Sequence, residues 1–203
     1  MSLVVRASSM IKASLLSDAA SVSLHWIYDQ SVVVNKLKEH SLESDSSFFP
    51  IPSCPYYNYP LGVLSPYGDE SLPILRSMVG TKHGEFEVDH TCEEVYKFYR
   101  SYAEEGEKGY IGRLNHVTKT FIAERDQGKE WSQCAADDSQ ANGIAKVPLI
   151  VARYAGHSEL ESKVESMVRI LQANDLSVSC SLITARFLEK ILLSSFSGTP
   201  NTV

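Results

Sequence analysis

The feature that most constrains this chain is the spacing of its apolar residues. Along most of its length they recur three or four positions apart, which places them on one face of an α-helix. No segment shows the alternation of apolar and polar residues that is typical of a half-buried strand. The pattern predicts an all-α fold, a bundle of about seven helices, in one domain over residues 1–193. Residues 194–203 are expected to form a frayed tail.

Capping signals indicate where several helices begin. The predicted caps are Ser71 with Pro73 in the first turn, Thr91 with Glu94, Ser158 with Glu161, and Asn174 or Asp175. Further helices are expected over 114–126 and over 144–154, and Gly156 is a natural stop after the latter. There are no internal repeats.

Residues 44–66 interrupt this pattern. The segment holds five prolines interleaved with phenylalanine and tyrosine. Such proline density excludes both a helix and a central strand. A loop of this length in a compact domain is usually functional or disordered, and its aromatic residues indicate that it packs onto the body.

Composition and charge exclude several classes of protein. The net charge is -6 and the isoelectric point is near 5.5, with basic residues spread among acidic ones, so a nucleic-acid binder is not expected. No apolar run reaches the roughly 18 residues of a membrane span. The four cysteines are far apart and form no CxxC pair, which favours free thiols in a cytoplasmic protein.

The first helix carries two polar residues in its apolar row. Positions 11, 15, 18, 22 and 25 share one face, so Asp18 and His25 point inward with the aliphatic side chains. A buried carboxylate is costly unless it is hydrogen-bonded or bound to a cation. Asp18 lies roughly 10 Å from His25 at about 1.5 Å per residue, so it is expected to bond backbone groups of a neighbouring loop.

Four segments, taken in order, resemble the ADP-ribosylglycohydrolase family. Residues 14–29, S-L-L-S-D-A-A-S-V-S-L-H-W-I-Y-D, are similar to its opening G-x-x-x-G-D-A-x-G, which a glutamate follows. Residues 65–75, S-P-Y-G-D-E-S-L-P-I-L, stand where the family has its T-D-D-T turn. Residues 136–149 resemble its S-x-x-N-G-x-x-x-R-x-x-P-L element, and 169–179 correspond to its T-H segment. L-H-W-I-Y-D and S-P-Y-G-D-E are similar to the J-type crystallin branch, which comprises lens proteins and their relatives.

The resemblance implies a degenerate metal site. Family members bind two Mg²⁺ or Mn²⁺ ions through the T-D-D turn and a D-x-D-T segment near the C-terminus. Aligned with that turn, Asp69 keeps one carboxylate, and Glu70 replaces the final threonine as a partial ligand. The second ligand set has no counterpart, so the C-terminal part of the fold is expected to be missing. Alternatively, Asp69 and Glu70 cap the following helix near its positive end.

The remaining site residues also follow from the resemblance. His25 aligns with the catalytic glutamate, and it is either a general base or a satisfied core residue. Ser139, Gln140, Asn142 and Gly143 occupy the turn that contacts ADP-ribose, where Asn142 is alternatively an ordinary cap. Gln172 falls at the ligand-contacting histidine, although a one-residue shift would place Ala173 there.

Three functions remain open on the sequence alone. The first is a non-catalytic, crystallin-like protein, and the second is a divergent Mg²⁺-dependent hydrolase that removes ADP-ribose from modified substrates. The third is a module that binds ADP-ribose without cleaving it. If terminal helices are missing, exposed apolar surface is expected to promote self-association.

Overall fold

The all-α prediction is confirmed. The computed structural model describes residues 2–102 and 112–194, and within them the only β-pairing is one isolated parallel bridge between Ala136 and Gln172. The helices are α1 (Leu3–Ser21), α2 (Gln30–Glu39), α3 (Pro66–Asp69), α4 (Ser71–Gly80), α5 (Val88–Tyr102), α6 (His116–Asp126), α7 (Val147–Tyr154), α8 (Leu160–Arg169) and α9 (Asp175–Leu193). Apart from Ser194, the predicted tail lies outside the described residues.

The core forms around α7. This short helix packs against α1, α4, α8 and α9, and most of its residues are buried. It is preceded by a 3-10 helix, Ala141–Lys146, which also packs on α9. The buried row of α8 recurs at helical spacing and consists of Leu160, Val164, Met167 and Val168. Because α7 is surrounded on several sides, the segment just before it is held firmly beside α3 and α4.

Several predicted boundaries are wrong. The row through His25 does not belong to one helix, because α1 ends at Ser21 and a 3-10 turn, Val22–Leu24, carries the chain on. Ser71 is not a cap: Ser65 caps α3, with Pro66 in its first turn. Thr91 lies inside α5, where its hydroxyl donates to the carbonyl of Glu87. Likewise, Ser158 does not cap α8, whose N-cap position makes no side-chain hydrogen bond.

Other local predictions are confirmed. The side chain of Asn174 caps α9 by accepting from the backbone N–H of Leu176 at 3.0 Å. Gly156 ends α7 in the left-handed region, with φ of 82°. Between α2 and α3 the proline-rich loop packs onto the body, since Phe49 and Tyr59 are buried.

The four cysteines are free thiols, two of them buried and two half-buried. Across residues 2–102 and 112–194, no helix combines the length and the apolar character needed to cross a membrane.

Candidate functional site

Asp18 fixes the position of α3. Its carboxylate accepts from the backbone N–H of Ser65 at 2.7 Å and from the Ser65 hydroxyl at 2.6 Å. The same hydroxyl oxygen accepts from the N–H groups of Tyr67 and Gly68 at the start of α3. The expected bond between Asp18 and a neighbouring loop is therefore present. Through this bond, α1 holds α3, the short helix that carries Asp69 and leads into Glu70.

Asp69 is buried and accepts a hydrogen bond from a tyrosine. The hydroxyl of Tyr102, in α5, lies 2.5 Å from Asp69 Oδ2. Burial, reinforced by the charge of Asp69, raises the pKa of Tyr102 well above its ordinary value, so the phenol keeps its proton. Tyr59 lies 3.2 Å from the same hydroxyl. The carboxylate thus accepts from one phenol, whose oxygen is in turn in hydrogen-bond contact with a second phenol.

Glu70 is also buried, and both of its oxygens are engaged. Oε1 accepts from the side-chain amide of Asn115 at 2.8 Å, and Oε2 forms a short ion pair with Lys146. Asn115 in turn caps α6, because its Oδ1 accepts from the N–H of Thr118. Glu70 precedes α4 without making a side-chain capping bond, and its oxygens face an ammonium and an amide.

His25 lies at the edge of an aromatic cluster. Its Nδ1 and the hydroxyl of Tyr57 are 2.6 Å apart and share a hydrogen bond. Burial lowers the pKa of His25 from its ordinary 6.5, and Asp18 offsets only part of this effect. The ring packs against Trp26 and edge-on against Tyr67, with centroids 4.8 Å and 5.6 Å away. The neutral imidazole is therefore favoured, and one of its nitrogens is already occupied.

Trp26 has a backbone conformation that few side chains adopt. Its φ of 60° lies in the left-handed region, which for a residue other than glycine is strained and often marks a functional segment. The indole makes edge contacts with Tyr56, Tyr57 and Tyr67, with centroids 5.5 to 5.6 Å apart. The guanidinium of Arg113 lies 5.4 Å from the Trp26 ring. These contacts hold the ring at the mouth of a cleft.

This cleft has a volume of about 400 Å³, within the range of small-molecule sites. Its aromatic wall consists of Trp26, Tyr28, Tyr56 and Tyr67, and its basic side includes Arg113, His116 and Lys119. Asn115, Asp138, Gln140 and Asn142 supply further polar groups. Because Asn115 also bonds Glu70, the cleft adjoins the buried carboxylates.

Only part of the predicted ligand turn lines the cleft. Gln140 and Asn142 line the cleft, whereas Ser139 is exposed outside its lining and Gly143 is buried. A Cβ on Gly143 would lie 2.6 Å from Ser181 Oγ, so only glycine fits the turn this close to α9. No capping bond is made by Asn142, which lies inside the 3-10 helix.

Gln172 holds this turn in place from the protein interior. It is fully buried; its Oε1 accepts from the N–H of Gly143 at 3.1 Å, and its Nε2 donates to the carbonyls of Asp138 and Gln140. With its donors and acceptor used inside the protein, Gln172 positions the turn. Ala173, the alternative position, is exposed and is not among the cleft residues.

Sequence reasoning missed the partners of the carboxylates. Lys146 interrupts an apolar stretch that includes Ile144 and Val147, and a lysine in such a row indicates a buried partner. Asn115 stands directly before α6, as an N-cap residue would. No sequence signal pointed to Tyr102, because a tyrosine on a helix core face is ordinary packing.

Comparisons with known proteins support part of the resemblance. No family profile matches the chain. Crystallin J1A of Tripedalia cystophora is 28% identical over 198 residues, which cover 93% of this chain and 58% of the crystallin. Crystallin J1B of the same organism is 27% identical over the same shares. The chain thus spans less than two thirds of the length of these relatives. Nearly all of this all-α chain is related in sequence to the J1 crystallins.

Proposed function

We propose that the chain is a J-crystallin-like member of the ADP-ribosylglycohydrolase family that does not catalyse hydrolysis and retains weak affinity for ADP-ribose. The observation that carries the proposal is the engagement of both predicted metal-binding carboxylates by the protein's own donors. The four motif segments and the similarity to J1 crystallins support the family assignment.

Asp69 and Glu70 are each already bonded to donors of the protein itself, and this argues against a divalent-ion centre. Mg²⁺ requires near-octahedral oxygen coordination and usually two or more protein carboxylates in a dinuclear site. An ion beside Glu70 would have to displace Lys146, whose charge already neutralises the carboxylate. Within the described ranges there is no group of three or more His, Cys, Asp or Glu side chains that could hold a metal. The residues present therefore do not fit the ions of the parent family.

His25 is a poor replacement for a catalytic glutamate. A general base needs a free lone pair within reach of a water molecule and, for histidine, a partner that stabilises the imidazolium. Here Nδ1 is engaged with Tyr57, which leaves only Nε2, and the carboxylate of Asp18 is committed to Ser65 rather than to the imidazole. We interpret His25 as an anchor of the aromatic cluster, the satisfied-residue alternative raised by the sequence.

The cleft favours a nucleotide-like ligand that carries phosphates. The rings of Trp26 and Tyr67 offer faces for stacking, and Arg113 and Lys119 offer positive charge on one side. This local charge contrasts with the net charge of -6 for the whole chain. Gln140 lies at the turn that contacts ADP-ribose in the family. These groups suit the diphosphate and base of ADP-ribose without any bound metal.

Hydrolysis and binding are tested separately. The wild-type chain incubated with Mg²⁺ and an ADP-ribosylated peptide should release no ADP-ribose, while calorimetry with ADP-ribose should show binding in the millimolar range. Lys119→Ala should weaken that binding, and Lys38→Ala, an equal change of charge on exposed α2, should not. Turnover that is abolished by EDTA and by Asp69→Ala would show instead a divergent Mg²⁺-dependent hydrolase. Absence of heat at millimolar ADP-ribose would refute the binding.

We also propose that the chain self-associates through α9. Leu176, Ile183 and Phe187 lie along one side of this helix and are 58%, 72% and 65% exposed. Clustered apolar surface of this kind commonly marks an interface. Sedimentation velocity should show a concentration-dependent shift that Ile183→Ser removes, whereas Val79→Ser on α4, equally exposed at 76%, leaves it. A monomer at every concentration would exclude this interface.

A further inference from the structure

A second cavity lies between the first turns of α5, the last turns of α8 and a 3-10 helix, Trp131–Gln133. Its volume is about 640 Å³, which is larger than that of the cleft beside Trp26 and within the range of small-molecule sites. The two cavities share no lining residue, since Ala135 lines this one whereas Asp138 and Gln140 line the cleft. The second cavity therefore offers a ligand a separate place to bind.

The floor of this cavity is apolar and uncharged. Cys92 and Ile170 both line it, and they are only 1% and 3% exposed. The Cys92 thiol makes no hydrogen bond with another described residue. Burial raises the pKa of Cys92 to about 12, so the thiol keeps its proton. An aromatic or aliphatic group suits such a floor better than a charged one.

Trp131 forms a wall of the cavity that is held in place. Its indole stacks on Phe121 with ring centroids 6.0 Å apart, and the guanidinium of Arg125 lies 3.9 Å from the centre of the Trp131 ring. A reciprocal capping box between Glu130 and Gln133 closes the 3-10 helix that carries the tryptophan. Because these neighbours fix the ring, the cavity is preformed and a ligand has little to order on binding.

The charged groups around the cavity are mostly acidic. Three carboxylates line it, on Asp89, Glu130 and Glu165, against one guanidinium, on Arg169. That guanidinium is committed to the protein, because its Nε and Nη2 donate to Glu165 and Asp175 at 2.9 and 2.7 Å. Asp89, in contrast, is exposed and makes no hydrogen bond or ion pair with another described residue. A positive charge on the ligand is therefore favoured and a negative one disfavoured.

We propose that this cavity binds an arylalkylamine, a molecule that carries one ammonium group on an aromatic body. The aromatic ring occupies the floor between Trp131 and Ile170, and the ammonium lies at the mouth beside Asp89. A polyamine suits the cavity less well, since each further ammonium would lose water against the apolar floor without gaining a partner. The inference goes beyond the binding of ADP-ribose and does not depend on it.

The two tryptophans of the chain provide the readout, because Trp26 lines the cleft and Trp131 lines the second cavity. In ¹⁵N–¹H correlation spectra, with the indole signals assigned through Trp131→Phe, tryptamine should shift the Trp131 signal alone. The expected dissociation constant is on the order of 1 mM. Tryptophol, in which a hydroxyl replaces the ammonium, should bind roughly tenfold more weakly, as expected for the loss of a charge-assisted contact. ADP-ribose should shift the Trp26 signal alone, so the two proposals fail separately.

Three variants test which groups recognise the amine. Asp89→Asn should weaken tryptamine binding roughly threefold, the effect of one exposed charge pair, and leave tryptophol binding unchanged. Glu43→Gln, the same loss of charge in an exposed loop, should change neither. Ser166→Phe places a ring in the cavity from α8 and should abolish the binding of both compounds.

Several outcomes would overturn the inference. A Trp131 signal that does not move anywhere in the millimolar range of tryptamine would show that the cavity binds no such ligand. Equal affinity for tryptamine and tryptophol, or equal effects of Asp89→Asn and Glu43→Gln, would show that the carboxylates do not recognise the ammonium. Tighter binding of spermine than of tryptamine would contradict the aromatic body that the apolar floor requires.

Discussion

Gly68 in α3 lies where a methyl group would strike Asp18. A Cβ built on Gly68 would be 2.1 Å from Asp18 Oδ2 and 2.6 Å from its Cγ. Asp18 cannot retreat without losing the bonds from the N–H and hydroxyl of Ser65. Helix propensity alone favours Gly68→Ala by about 1 kcal/mol. The two effects therefore have opposite signs, and their magnitudes decide the outcome.

Each hydrogen bond to a charged carboxylate contributes about 1.5–3 kcal/mol, so loss of both costs roughly 3–6 kcal/mol. Partial retention of one bond and the gain in propensity reduce the net effect. We expect Gly68→Ala to lower the free energy of unfolding by about 2–4 kcal/mol. Urea unfolding followed by far-UV circular dichroism measures this change in the free energy of unfolding. The change bears on the candidate site because α3 packs against α1, carries Asp69 and leads into Glu70.

Two controls separate the clash from a general effect of alanine. At Gly80, the last residue of α4, a Cβ would meet only His90 Nε2 at 3.4 Å, which is near ordinary contact, so Gly80→Ala should change stability by less than about 1 kcal/mol. In an Asp18→Ala background only the tight 3.1 Å approach to Leu64 Cβ remains, so Gly68→Ala should cost much less than in the native background. Gly68→Ala with wild-type or higher stability in the native background would refute the reasoning.

Three further predictions concern the turn, His25 and the thiols. Gly143→Ala should weaken ADP-ribose binding in calorimetry and lower the free energy of unfolding, because its Cβ would lie 2.6 Å from Ser181 Oγ and push the turn away. Burial lowers the pKa of His25 in the folded state, so the unfolded chain binds the extra proton more readily. Stability should therefore be complete above the unfolded value of 6.5 and fall as the pH drops below it; His25→Gln should flatten this slope in urea midpoints. An unchanged slope would count against the pKa shift. Burial raises the pKa of Cys92 to about 12, so a thiol reagent at pH 8 should label half-buried Cys180 well before Cys92 in the native protein. Equal labelling rates would contradict this assignment.

Local patterns predicted much of the fold. The period of apolar residues located seven of the helices, and the cap at Asn174 and the stop at Gly156 were read from single residues. The inward row of α1 also identified Asp18 as a carboxylate that needs a bonding partner. These features depend on the neighbouring few residues, which is the information that periodicity and capping chemistry carry.

Helix α2 was missed for a local reason. Its run of three valines, 32–34, is β-branched, and none of its residues is buried, so no apolar face marks it. Its N-cap is Asp29, whose side chain accepts from the N–H of Ser31 at 2.8 Å. The sequence pattern alone did not identify this cap. Helix α3 was missed because Pro66 was counted with the loop, although proline is favoured in a first turn.

The residue pairs of the candidate site could not be predicted from the sequence. Glu70 and Lys146 are 76 positions apart, and Asp18 and Ser65 are 47 apart. No periodicity relates such residues, because their contact depends on how α7 and the 3-10 helix before it pack against α3 and α4. The sequence identified Glu70 as notable through the family motif, but whether its partner is a metal or an ammonium is decided by tertiary packing.

Binding of Mn²⁺ to the wild-type chain, followed through the electron paramagnetic resonance signal of the free ion, addresses most directly whether Asp69 and Glu70 are available as ligands. If Tyr102, Asn115 and Lys146 occupy these carboxylates, the free-ion signal should match that of buffer up to millimolar Mn²⁺. Removal of two ions per chain from solution, with loss of that uptake in Asp69→Ala, would contradict the assignment of this chain as a non-catalytic relative.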